Sequence, residues 1–185
     1  MLTEIVILCL LAYLCGSVPF GVLLAKTQNM DIREHGSGNI GATNVARTMG
    51  KKAGLITLAG DVLKGLLVVF IASQWFDSTM VTALAGLAVF LGHLFSIFLK
   101  FKGGKGVATY IGFLLGLSLY LGIAFLFLWL IIAYISKYSS LSSLLSSLIA
   151  PIYFIFMSPQ KFTGFFLLYI FVLFFHRSYT CITFF

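Results

Sequence analysis

The protein has 185 residues, of which 61% are hydrophobic and 9% charged, with a formal net charge of +7. A soluble domain averages about 25% charged residues, so this chain cannot cover the surface of a water-soluble fold of its size. Its basic residues sit in short stretches between apolar runs, which excludes nucleic acid as a partner and points to membrane lipid headgroups and a small anionic substrate.

Roughly 20 apolar residues cross a bilayer, and the pattern predicts an all-α integral membrane protein of seven transmembrane helices, a single domain over 1–185. The first span covers 3–24, with Pro19 near its end; it lacks the basic run of a secretory leader, and further spans follow. The second covers 53–72 and the third 80–98. From Val107 to Ser136 the apolar stretch is too long for one crossing and reads as two short spans, 107–118 and 119–136, folded back near Ser118. The sixth covers 140–157, ended by Ser158-Pro159, and the seventh 161–175.

Lysine and arginine in short loops set the orientation. With the N-terminus outside, the inner side holds Lys26, Arg33, Arg47, Lys51, Lys52, Lys100, Lys102, Lys105, Lys137 and Arg177, while the outer side holds Lys161 alone. The C-terminus is then cytoplasmic. A single crossing over 107–136 would carry Lys137 outside, which favours the fold-back. Trp75 and Trp129 suit interfacial anchoring.

Three inner stretches carry chemistry. The first is His35-Gly36-Ser37-Gly38-Asn39-Ile40-Gly41-Ala42-Thr43-Asn44-Val45-Ala46-Arg47. Glycines let backbone N–H groups approach an anion. Ser37, Asn39, Thr43 and Asn44 add hydrogen-bonding side chains, and Arg47 adds a planar fork suited to phosphate. Gly36, Gly38 and Gly41 also spell G-x-G-x-x-G, but no hydrophobic strand precedes them, so a dinucleotide fold is rejected. The second stretch is Phe101-Lys102-Gly103-Gly104-Lys105-Gly106-Val107-Ala108-Thr109, opening the fourth span. Helix N-termini attract anions, and Lys105 supplies a point charge. A positive-inside anchor explains the lysines there but not the intervening glycines. The third is the cluster Ser139, Ser140, Ser142 and Ser143, for which N-capping is the plain alternative.

Asp61 and Lys64 stand at i, i+3 within the second span. Such groups mark a functional site or pair to lock helices together, and both readings stand. His93, on the third span, serves packing or catalysis equally well. His35 borders the first loop, and His176 with Arg177 follows the last span. No spacing among Cys9, Cys15 and Cys181 resembles a metal site, and no cofactor is expected.

The two long motifs, Gly36 to Asn44 with Arg47 and Phe101 to Thr109, closely resemble the bacterial acyl-phosphate-dependent glycerol-3-phosphate acyltransferase family. The resemblance runs along nearly the whole chain and includes Gly16-Ser17 with Pro19, Asp61 with Lys64-Gly65, Gly92-His93 and the serines after Tyr138. It implies a seven-span enzyme of phospholipid biosynthesis in the inner (cytoplasmic) membrane, its active site facing the cytoplasm. The implied reaction moves an acyl group from acyl phosphate to the 1-hydroxyl of glycerol 3-phosphate, giving lysophosphatidic acid and phosphate. By this resemblance Ser37, Arg47, Lys105, Ser143 and His176 are catalytic. Gly36, Gly38, Asn39, Gly41, Thr43, Asn44, Gly103, Gly104, Gly106, Thr109 and Ser140 then bind substrate phosphates. Acyl phosphate is already activated, so the hydroxyl attacks directly, with a phosphate oxygen or His176 taking the proton. The family continues after its last span with His-Arg, one variable residue, then Asn-Ile and a basic tail. Here Tyr179-Thr180 follow His176-Arg177-Ser178, a change with the form of a frameshift or altered terminus that leaves the third motif without its Asn.

Two other classes compete. A transporter for a phosphorylated small molecule would want its site near the midplane on broken helices, whereas these motifs lie at one surface. A phosphoalcohol transferase would want clustered aspartates, and Asp31, Asp61 and Asp77 are scattered.

Overall fold

A computed structural model of the protein describes residues 1–156. The expected seventh span at 161–175, the Ser158-Pro159 turn, Lys161, His176, Arg177 and Cys181 lie outside the described residues. Within them every regular element is helical: α1 Leu2–Ser17, α2 Phe20–Lys26, α3 Ala42–Met49, α4 Lys51–Trp75, α5 Thr79–Leu94, α6 Val107–Leu117, α7 Leu119–Ser136, α8 Ser139–Ser146 and α9 Ile149–Phe156. Among the described residues, four stretches are long and apolar enough to cross a membrane: Leu2–Lys26, Lys51–Trp75, Thr79–Leu99 and Leu119–Ser136.

Two expected spans are broken, both at proline. The 3–24 span divides into α1 and α2, because Pro19 has no N–H to donate and pushes Val18 into an extended conformation (φ −63, ψ 114). The 140–157 span divides into α8 and α9. Pro151 lacks the N–H that Ser147 O would accept four residues earlier, so the helix cannot run through. The Ser142 and Ser143 hydroxyls also bond back to Tyr138 O and Ser139 O at 2.8 and 2.7 Å, which loosens the preceding turn. The chain breaks at Ser118. Ser118 is extended (φ −160, ψ 121) between α6 and α7, and Gly122 packs its backbone against Leu115. With 11 residues, α6 is only about 16 Å long, short of the ~30 Å apolar layer of a bilayer.

A broken helix inside lipid must satisfy its freed carbonyls internally. The Ser96 hydroxyl donates to Ser17 O at 2.6 Å, and the Lys64 ammonium donates to Val18 O at 2.9 Å. The α1–α2 break is thereby tied to α5's end and to the middle of α4. Small residues bring these helices together: a side chain at Gly16 would strike the Val89 backbone, and one at Gly92 would strike Tyr13 O. Gly65 and Gly112 serve the α4–α6 contact in the same way.

The core of the bundle is aromatic. Tyr110 on α6 meets Phe90, Phe113 and Phe125 edge-on, with centroids 5.9, 5.8 and 5.4 Å apart. A second buried cluster, Val22, Ala25, Ile32, Ile40, Val45, Ala53 and Leu99, joins the loops after α2 and α5 to the neighbouring helix ends. Outside, Leu55, Leu67, Phe70, Phe127 and Leu130 are more than half exposed. Exposed apolar side chains in such number suit lipid tails and not water.

Candidate active site

The first glycine loop is built around Asn44, which is 2% exposed on α3. Its side-chain oxygen accepts from Ser37 N at 2.9 Å. Its amide nitrogen donates to His35 O and Asn39 O, both at 2.9 Å, with a longer contact of 3.4 Å to Ile32 O. One side chain thus closes the loop on itself. Gly36 and Gly38 turn the chain at positive φ (61 and 68), and a side chain at Gly36 would strike Asn44 Oδ1. With Asn44 facing inward, Thr43 and Arg47, one helical turn apart, are exposed, as is Ser37. Before the loop, Asp31 Oδ2 pairs with Arg33 Nη2 at 2.6 Å. Hydrogen bonds from Arg33 hold the Asp31 carboxyl at a pKa of about 2.

The second glycine loop folds back onto the end of α5. Lys100 and Phe101 take left-handed conformations (φ 52 and 62). Phe101 N then donates to Ser96 O at 2.8 Å, Gly103 N to Leu94 O at 3.0 Å and Gly104 N to His93 O at 3.1 Å. The amides of Gly103 and Gly104 are therefore committed to the α5 terminus, and these glycines allow close approach: a side chain at Gly103 would strike His93 O. Gly106 (φ 85) is the N-cap of α6, directly after Lys105, and no side chain caps the helix.

The two loops meet. A side chain at Gly104 would run into Ile40 of the first loop and the His93 ring, and one at Gly21 would strike Ile40 O. Beneath this contact, Asp61 Oδ1 lies 2.7 Å from Lys64 Nζ, which lies 2.9 Å from His93 Nδ1. His93 Nδ1 is 3.5 Å from the same carboxylate oxygen. All three side chains are at most 4% exposed.

Among the described residues, neither Arg47 nor Lys105 is paired with a carboxylate, whereas Arg33 and Lys64 each have one. Lys26, Lys51, Lys52, Lys100 and Lys102 are exposed around the same loops. The end of the molecule where the loops meet is thus a basic surface, with Arg47 and Lys105 among the cations that no carboxylate claims.

The structure brings the first two glycine stretches together as neighbours; the serine stretch bonds within α8 and to α7. Ser143 Oγ donates to Ser139 O at 2.7 Å and accepts from Trp129 Nε1 at 3.0 Å, so its hydroxyl is engaged between α8 and α7. Among the described residues neither Ser140 nor Ser143 hydrogen-bonds to a glycine loop. Trp129 is a partly buried donor, not a free interfacial anchor, whereas Trp75 is 77% exposed at the end of α4. Thr109 is fully buried, and its hydroxyl has no partner among the described residues. His176 falls outside the described residues. The sequence points neither to Ser96 nor to the donor role of Trp129. Only the proline after Val18 signalled that carbonyls there would need donors, and nothing local marked Ser96 as one.

A sequence profile of the family described as glycerol-3-phosphate acyltransferase matches residues 6–181. The chain is similar to the glycerol-3-phosphate acyltransferase of Pelagibacter ubique (strain HTCC1062), 45% identical over 177 residues, which are 95% of this chain and 91% of that one. It is 52% identical to that of Dechloromonas aromatica (strain RCB) over 150 residues, 80% and 76% of the two chains. Among solved structures, PlsY, an integral membrane glycerol 3-phosphate acyltransferase in its glycerol 3-phosphate form, superposes with a TM-score of 0.90. The identity is 38%, covering 97% of this chain and 90% of that one. The lysophosphatidic acid form of PlsY superposes with a TM-score of 0.88 at 37% identity.

Proposed function

The chain belongs to the glycerol-3-phosphate acyltransferase family, and from that premise we propose that it transfers an acyl group from acyl phosphate to the 1-hydroxyl of glycerol 3-phosphate. The products are lysophosphatidic acid and inorganic phosphate, in the first acylation of phospholipid synthesis. The observation that carries this reading is the meeting of two glycine loops, each with a cation that no carboxylate claims, Arg47 and Lys105. Both substrates carry phosphate, so the reaction needs two anion sites within bonding distance of each other. A transporter has no need to hold two anions against one another at a single surface.

In the proposed mechanism Arg47, Ser37 and Thr43 from the first loop and Lys105 with the first-turn amides of α6 together hold the two substrate phosphates, both loops contributing to the glycerol 3-phosphate site. The glycerol oxygen forms a bond to the acyl carbon, the bond from that carbon to the phosphate oxygen breaks, and the hydroxyl proton passes to the leaving phosphate or to His176. The two cations offset charge that grows on the departing phosphate, and holding both substrates supplies the proximity. Ser143 supports the site from α8 by fixing that helix against Trp129. The acyl tail lies among apolar helices that already face lipid.

The proposed topology has seven spans, the N-terminus outside and the loops in the cytoplasm. It is supported by the shared end at which both loops sit and by the charge they carry. The test is lysophosphatidic acid formation by purified protein in detergent, given glycerol 3-phosphate with acyl phosphate or with acyl-CoA. Formation with acyl phosphate alone, with phosphate released in equal amount, is expected. Formation with acyl-CoA alone would overturn the choice of donor, and formation with neither would overturn the reaction.

A further inference from the structure

We propose that Asp61, Lys64 and His93 form a positioning unit that sets the second glycine loop, and with it the reach of Lys105 to the substrate phosphate. The inference rests on the reading of Lys105 as a phosphate ligand.

An ammonium group has three hydrogens and no lone pair. Lys64 Nζ has three acceptors around it: Asp61 Oδ1 at 2.7 Å, Val18 O at 2.9 Å and His93 Nδ1 at 2.9 Å. These belong to α4 itself, the α1–α2 break and α5, so one nitrogen ties three segments together. Because Lys64 is the donor at 2.9 Å, Nδ1 is the acceptor, and the ring carries its proton on Nε2. The alternative donation, from Nδ1 to Asp61, would have to cover 3.5 Å. The ion pair therefore fixes both the rotamer and the tautomer of His93.

The other edge of that ring lies against Gly104, where a side chain would collide with Nε2. The His93 carbonyl accepts from Gly104 N at 3.1 Å, and its neighbour Leu94 accepts from Gly103 N at 3.0 Å. His93 thus touches the loop through both its backbone and its side chain, one residue before Lys105. Any turn of the ring, or slip of the last turn of α5, displaces Gly104 and swings Lys105 with it. Three apolar side chains would join the same helices without burying charge, a substitution that is often neutral or stabilising. What they would lack is a directional grip on the loop, and a misplacement on the order of 1 Å costs up to about 100-fold in a positioned site.

The experiment reads binding of glycerol 3-phosphate by isothermal titration calorimetry, with melting temperature measured in the same detergent. Four proteins are compared with wild type: His93→Leu, Lys105→Met, the pair of them combined, and the apolar triple variant Asp61→Leu/Lys64→Met/His93→Leu. His93→Leu is expected to weaken binding about tenfold or more and to add little further loss once Lys105 is already Met. The triple variant should melt near wild type, because no charge is left buried alone, yet keep the binding defect. Losses that multiply in the combined variant would overturn the inference, as would affinity that returns with stability in the triple variant. If wild type itself fails to bind glycerol 3-phosphate, the functional reading falls, and this inference falls with it.

Discussion

Replacing Asn44 should disorganise the first glycine loop while sparing the helical bundle. The side chain makes three hydrogen bonds at 2.9 Å, to Ser37 N, His35 O and Asn39 O, from a position 2% exposed to solvent. At about 1 kcal/mol net each, Asn44→Ala removes roughly 3 kcal/mol from the ordered form of the loop. Each 1.4 kcal/mol is about a tenfold change in population, and affinity falls with the fraction of protein in the competent form. The KM for glycerol 3-phosphate should therefore rise by up to about 100-fold. The core around Tyr110 is untouched, so the melting temperature should hardly move. Asn44→Asp is the sharper probe, because it has the same shape and keeps the acceptor for Ser37 N. It has no N–H for His35 O and Asn39 O, and it sets a carboxylate against both carbonyls and the bound phosphate, so it should be worse than alanine. The assay is steady-state kinetics over glycerol 3-phosphate concentration, beside limited proteolysis across residues 35–43. A wild-type KM with unchanged cleavage in both variants would refute the reasoning.

Arg47→Met and Lys105→Met should each lower turnover at least about 100-fold while melting as wild type does; near-normal turnover in either would remove it from the site. Gly92→Ala drives a methyl group into Tyr13 O and Ser17 N across the α1–α5 contact, where backbone cannot yield cheaply. A loss of about 1–3 kcal/mol is expected, read as a lower melting temperature in detergent; an unchanged value would mean that the helices sit farther apart. The Asp31 carboxyl, held at about 2 against an ordinary 3.8, contributes its ion pair fully above pH 3.8 and loses it only as pH falls toward 2. Pepsin cleavage across 27–41 should accelerate in wild type only near that limit, whereas Asp31→Asn should be equally open throughout. Wild-type opening already at pH 5 would contradict the pairing with Arg33.

Much of the site was legible because its chemistry is local. The run Gly36 to Arg47 announces a loop able to approach an anion, and Lys105 among glycines does the same, since both depend on residue type over a dozen positions. The role of Asn44 was not legible. Its neighbours Ser37, Asn39 and Thr43 have equally polar side chains, and only the turn of α3 decides that Asn44 faces inward while Thr43 faces out. The family motif implies phosphate binding at Gly103 and Gly104, whereas in the structure their N–H groups bond to Leu94 and His93, a pairing that requires the chain to double back at Lys100 and Phe101. What holds Ser143 is tertiary as well: its hydroxyl lies between Ser139 O and Trp129 Nε1, and the tryptophan comes from the neighbouring helix.

The sequence by itself determined that the chain lives in a membrane, that its cations gather between the helices, and that it has two glycine-rich loops suited to phosphate. Hydropathy and charge act over single spans, so composition in a short window is enough to read them. The tertiary structure decided what lies under those loops. Asp61, Lys64 and His93, and the donation from Lys64 to Val18 O, come from three segments whose meeting depends on close glycine packing and on a helix broken at proline. The proline is visible in the sequence. Which distant side chain answers the carbonyls it frees is settled only when the helices pack.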